Sequence, residues 1–280
     1  MVYLVGAGRS GTTLFRVMLA GHAKLFVPPE MSMGHYTTMA ERRDDLAVRY
    51  WEKGGLRRAL VNLHGISVDE AKAKVAAWDD QTTAEVYRTL QAEIGERILV
   101  DKCPQLAQRM TNLERAEATF DKPIYLWIVR HPCGTISSFL RQPLIRQMMS
   151  LADDDPTPPS QPAEAFWYDC NHNLETFVKT IEPERWFRFR YEDLTENPEP
   201  ILRKCCETIG VPFEPACLDP YAGDRMASRD VKGAQPVGDP GFPEHSTIKP
   251  ELAKKAIERY PVDALRPETR DVARRMGYDV

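Results

Sequence analysis

Val2-Tyr3-Leu4-Val5-Gly6-Ala7-Gly8-Arg9-Ser10-Gly11-Thr12-Thr13-Leu14 is the stretch from which the rest of the chain can be read. Four apolar residues predict a strand and the glycines a turn. Leu14, Val17 and Met18 then recur at helical spacing until Gly21, a plausible stop. Gly6 and Gly11 enclose four residues, the spacing of the phosphate turn G-x-x-x-x-G-K-[ST], so successive backbone N–H groups can point at an oxyanion at the helix N-terminus. Where that pattern has Lys this chain has Thr12, and the cation inside the turn is Arg9. Such a turn suits a 5′-phosphate with something other than a phosphate chain beyond it.

Strands and helices alternate outward from this turn. Leu25-Phe26-Val27 predicts a short strand closed by Pro28-Pro29, which puts Glu30 at a strand end, where ligands bind in parallel sheets. Residues 31–94 read as a helical insert, with capping boxes at Ser67…Glu70 and Thr82…Glu85. Ile98-Leu99-Val100-Asp101 is a third strand, followed by Lys102, and Ile124 to Val129 a fourth, ending in Arg130-His131-Pro132. Residues 152–162, rich in Asp and Pro, predict a loop or lid. Ala163 to Ile181 predicts an amphipathic helix, Trp186 to Tyr191 a further strand, and Pro198 to Ile209 a helix. Residues 221–246 lack periodicity, and short helices near Pro250 to Arg259 and Pro267 to Met276 finish the chain. The expected architecture is one α/β domain over residues 1–280, with a P-loop-like parallel sheet of four or five strands flanked by helices.

Composition narrows the function classes. With 280 residues and 42% hydrophobic content the chain can bury a full core. A net charge of −4 offers no general basic surface for nucleic acid or an anionic membrane, so an anion site must be local. The six cysteines form no C-x-x-C pair and no zinc-finger pattern, which points to a reduced, cytoplasmic protein without structural zinc. No apolar run reaches the roughly 20 residues that span a bilayer, and no signal segment precedes the first strand. A core strand beginning at residue 2 suggests a domain excised from a longer polypeptide.

A second basic cluster gives the turn its partner. Arg130 leaves a buried strand at its C-terminal end, and Ser138 lies on the helix that Pro132 opens, so the pair can hold a second phosphate. A 3′-phosphorylated adenine nucleotide meets that demand, and ATP does not. With these residues the chain resembles the sulfotransferase superfamily, which draws on 3′-phosphoadenosine 5′-phosphosulfate (PAPS) and releases adenosine 3′,5′-bisphosphate. Gly8-Arg9-Ser10-Gly11-Thr12-Thr13-Leu14 looks like its 5′-phosphosulfate loop, Pro-Lys/Arg-Ser-Gly-Thr-Thr, with Gly8 for Pro. Arg130-His131-Pro132 through Ser138 looks like its 3′-phosphate motif, and Arg190-Tyr191-Glu192-Asp193-Leu194 like a third landmark placing Tyr191 near the nucleotide.

The resemblance assigns roles. Sulfuryl transfer is an in-line displacement in which Arg9 and Lys102 stabilise developing charge and no metal is required. Glu30 is the first candidate for the base that takes the acceptor proton, since its spacing resembles the protein-tyrosine branch. His245 is the second. Its segment, Pro220 to Met226 and Gly238 to His245, looks similar to sulfotransferase domains of modular polyketide synthases that form terminal alkenes. Those domains sulfate the β-hydroxyl of an acyl chain on an acyl carrier protein, ahead of a thioesterase. Arg229, Lys232 and Gly233 are expected to close over the 3′-phosphate. The alternatives are another small-molecule or peptide hydroxyl as acceptor, a metal-dependent P-loop kinase using the acidic strand at Asp101, and a nucleotide-sensing module without turnover.

Overall fold

The computed structural model describes residues 1–45, 48, 54–142, 158–223, 225 and 246–280. Five strands, β1 (Val2–Val5), β2 (Leu25–Phe26), β3 (Ile98–Lys102), β4 (Ile124–Val129) and β5 (Trp186–Arg190), form one sheet in the order β2-β3-β1-β4-β5. All the pairings are parallel. Around it in chain order lie α1 (Thr12–Leu19), α2 (Met39–Asp44), α3 (Gly54–His64), α4 (Val68–Ala76), α5 (Thr83–Glu93) and α6 (Met110–Thr119). Then come α7 (Pro132–Leu140), α8 (Ser160–Phe177), α9 (Tyr191–Glu196), α10 (Pro198–Ile209), α11 (Pro250–Glu258) and α12 (Pro267–Arg275).

The near-continuous apolar strands follow from burial on both faces. One face carries Tyr3, Val5, Leu99, Tyr125 and Trp127 against the insert helices and α8. The other carries Val2, Leu4, Val100, Leu126 and Ile128 against Phe15, Met18 and Leu19 of α1 and Leu202 and Cys205 of α10. Alternation along each strand sends successive side chains to opposite faces, so the central strands β1 and β4, covered on both, need apolar residues throughout. No helix among the described residues is long and apolar enough to cross a membrane.

The α/β expectation holds, with five strands. Several boundaries move. In the expected helical insert, residues 31–37 are irregular and helix begins at Met39, behind a third capping box, Thr38…Glu41, beside the two anticipated ones. The helix expected from Ala163 starts at Ser160, so 160–162 of the expected lid are helical, and 152–157 lie outside the described residues. The strand expected to reach Val27 stops at Phe26, and the one expected to reach Tyr191 stops at Arg190, where α9 begins. Gly21 follows the α1 cap but not in the left-handed conformation; its missing side chain admits Ala216, whose carbonyl oxygen a Cβ would meet at 2.7 Å. His245, Arg229, Lys232, Gly233 and nearly all of the expected loop 221–246 lie outside the described residues.

Candidate active site

The turn after β1 owes its shape to two glycines. Gly6 has φ 144°, and a Cβ there would collide with the Ile128 carbonyl of neighbouring β4. Gly11 has φ 85°, and a Cβ there would strike the ring of Tyr191. Between them Arg9 adopts φ 65°, a left-handed conformation that costs a non-glycine residue about 1–3 kcal/mol. Gly11 caps α1 without a side-chain hydrogen bond, so the first helical N–H groups are left for a ligand. Gly8, where the resembled motif has Pro, lies 3.4 Å, measured from an added Cβ, from the Phe166 ring.

Parallel register brings the other predicted residues to the same sheet end. Leu4 pairs with Lys102, and Val5 with Trp127, so Lys102 and Arg130 leave their strands on either side of β1 as it enters the turn. Arg9 Nε donates to Ser138 Oγ at 3.1 Å, and Arg130 Nη1 donates to the Arg9 carbonyl at 3.0 Å. The Arg130 guanidinium lies 4.6 Å from the Tyr191 ring centroid, a stacking worth about 0.5–2 kcal/mol. Gly8, Arg9, Ser10, Gly11, Thr12, Thr13, Arg130, Ser138 and Tyr191 thus form one continuous region.

Two atoms there lack partners. Arg130 is 9% exposed and Ser10 fully buried, yet Arg130 Nε and Ser10 Oγ have no hydrogen-bond partner among the described residues. Burial pulls the Arg130 guanidinium below its ordinary value, and the neighbouring Tyr191 and Glu192 work against that pull. A buried cation with an idle donor, and an idle buried hydroxyl on the adjoining turn, are costly until an anion arrives. These residues therefore fit a phosphorylated ligand.

A carboxylate cluster sits one strand away. Lys102 Nζ donates to Glu30 Oε2 at 2.5 Å, and Gln105 Nε2 donates to Glu30 Oε1, so both carboxylate oxygens are held. Gln105 belongs to a 3-10 turn that Pro104 opens one residue after β3, which puts its side chain within reach of Glu30. Sequence reasoning missed Gln105; its signal was the Pro104 turn that opens two residues past Lys102. Gly55 was missed too: a Cβ there would overlap the Glu30 carbonyl, so α3 abuts the Glu30 backbone. Arg42, buried on α2, donates to the Met31 and Ser32 carbonyls and fixes the segment that follows Glu30.

His35 lies beside this cluster, with Nδ1 3.8 Å from Cys103 Sγ; burial lowers its pKa to about 4. His131 holds the turn before α7, its Nδ1 accepting the Cys133 N–H at 3.2 Å, and burial followed by the Arg130 charge lowers it to about 4. His22 is buried and contacts the Pro212 carbonyl at 2.7 Å through Nε2. Asp101, which a metal-dependent kinase would need beside the phosphate turn, is instead fully buried and accepts from Tyr87 Oη on α5. Among the described residues no group of His, Cys, Asp and Glu could hold a metal ion.

Comparisons with known proteins converge on the same reading. The profile of the sulfotransferase family matches residues 2–215. A sulfotransferase domain from the curacin biosynthetic pathway is 36% identical, with a TM-score of 0.89, covering 100% of this chain and 98% of that one. The sulfotransferase domain of the Synechococcus PCC 7002 olefin synthase is 34% identical, with a TM-score of 0.87, covering 100% and 95%. A sulfotransferase from Alicyclobacillus acidocaldarius, 15% identical over 100% of this chain and 96% of that one with a TM-score of 0.53, shares the fold. No curated protein sequence matches the chain. A phosphate turn with Thr12 in place of Lys, a second phosphate-ready cluster at Arg130 and a family match over most of the length lead to one statement: this chain belongs to the sulfotransferase family and is a PAPS-dependent sulfotransferase.

Proposed function

We propose that the protein moves the sulfuryl group of PAPS to the β-hydroxyl of an acyl chain tethered to an acyl carrier protein. The residue assignment is built on the site geometry. The Gly6–Thr13 turn takes the 5′-phosphosulfate on its uncapped N–H groups, Arg130 and Ser138 take the 3′-phosphate, and Tyr191 flanks the nucleotide. Glu30 accepts the acceptor proton as the new S–O bond forms, while Arg9 and Lys102 stabilise charge on the departing adenosine 3′,5′-bisphosphate. Charge neutralisation and alignment suffice for such an in-line displacement. Arg229, Lys232, Gly233 and His245 keep the roles that their motif suggests, nucleotide closure for the first three and a second candidate base for the last.

The observation that carries this reading is the occurrence, among the described residues, of two unpartnered buried groups, Arg130 Nε and Ser10 Oγ, together with a carboxylate held at both oxygens at the same sheet end. The acceptor assignment draws on likeness along the whole chain to sulfotransferase domains from the curacin pathway and an olefin synthase. Sulfation turns a poor leaving group into a good one, so a downstream thioesterase could couple hydrolysis to decarboxylation and sulfate loss, giving a terminal alkene. Incubation with PAPS and a 3-hydroxyacyl carrier protein, followed by intact-mass analysis, should show one added sulfate. Transfer to phenols, sugars or peptides with none to the carrier-bound chain would overturn the acceptor. Absence of adenosine 3′,5′-bisphosphate binding would overturn the donor site.

A further inference from the structure

The last residues of the chain fold back against the Arg130 turn. Tyr278, 7% exposed, donates from Oη to Glu192 Oε2 at 2.9 Å, and Glu192 Oε1 accepts the His131 backbone N–H at 3.1 Å. The Tyr278 and His131 rings meet edge-on with centroids 5.1 Å apart. Arg190 donates to the Gly277 carbonyl at 3.0 Å and is itself engaged by Asp193 at 2.6 and 2.8 Å. This segment lies beyond residue 215, where the family match ends.

Glu192 sits near enough for its charge to be felt at Arg130. Yet among the described residues no hydrogen bond or ion pair joins them, and Arg130 Nε stays without a partner. A free carboxylate beside a buried guanidinium would normally close into a charge-assisted pair. A closed pair would oppose phosphate binding, because the ligand would first have to displace the carboxylate.

We propose that Tyr278 Oη and the His131 N–H together tether the Glu192 carboxylate away from Arg130 and so reserve the guanidinium for the 3′-phosphate of the donor. The inference rests on the assignment of Arg130 under the proposed function. Tyr278 is then a positioning residue: it touches Glu192, and Glu192 is the competitor it restrains.

The test compares titrations with adenosine 3′,5′-bisphosphate and adenosine 5′-monophosphate, which differ by the 3′-phosphate. Tyr278→Phe keeps the ring and removes the hydroxyl. Its Kd for the bisphosphate should rise about five- to tenfold, the scale of one ordinary hydrogen bond, with the monophosphate unchanged. Adding Glu192→Gln, which still accepts from His131 but carries no charge, should return bisphosphate affinity to that of Glu192→Gln alone. Equal weakening toward both nucleotides, or no recovery in the double variant, overturns the tether. The double variant remains informative even if Tyr278→Phe lowers the melting temperature, since the two differ only in charge at position 192. If Arg130→Ala leaves the preference for bisphosphate over monophosphate intact, the phosphate assignment fails instead.

Discussion

Glu30 shows at the scale of one residue what makes a carboxylate usable. Lys102 and Gln105 hold its two oxygens, α3 abuts its carbonyl through Gly55, and Arg42 fixes the two residues after it. Glu30→Gln keeps the shape and removes the basic site, so turnover should fall by roughly 10²–10⁴-fold while calorimetric affinity for adenosine 3′,5′-bisphosphate stays unchanged. Retained turnover in Glu30→Gln, with loss in His245→Ala, would move the base to His245. Gly55→Ala should cost about 1–3 kcal/mol in urea unfolding and lower turnover, because the methyl must displace the Glu30 backbone. The sequence made Glu30 and Lys102 legible because each lies near the C-terminal end of an expected strand. Gln105 and Gly55 were not legible, because their role depends on how closely distant segments approach, which no local pattern encodes.

Elements were more legible than residues. Strand composition and the glycine turn predicted a parallel sheet, and two capping boxes in the insert were readable as Ser/Thr followed three residues later by Glu. The Thr38…Glu41 box escaped notice because α2 is six residues long and has little periodicity. Strand order is a long-range property: β1 sits between β3 and β4, and nothing within any single strand states that. Two glycines of the phosphate turn should separate sharply on substitution. Gly8→Ala would place a methyl at ordinary contact distance from Phe166 and should leave nucleotide affinity within about twofold, a few tenths of a kcal/mol. Gly11→Ala combines φ 85° with collision against Tyr191 and should abolish measurable nucleotide binding by calorimetry. Equal tolerance at both sites would contradict the turn geometry.

The whole molecule should lose stability in mild acid. His35 and His131 are both held down to about 4 by burial, so the unfolded chain binds their protons first, and stability drains as pH falls from about 6.5 toward 4. Burial raises Asp101 to about 6, so there the folded chain binds the proton first and gains as pH falls through that value. Two losses outweigh one gain, and the melting temperature should fall between pH 6.5 and 4.5. Asp101→Asn removes the opposing contribution and should steepen the fall; a flat profile would contradict both assignments. The cysteines have a consequence of a different kind. All six are buried as free thiols, and burial pushes Cys133 and Cys217 up to about 12, so the folded protein presents neither access nor thiolate to an alkylating reagent. Iodoacetamide should therefore mark the chain only as it opens. The order in which Cys205 and Cys206 on α10, Cys133 on α7 and Cys170 on α8 acquire label would then chart which parts of the architecture separate first.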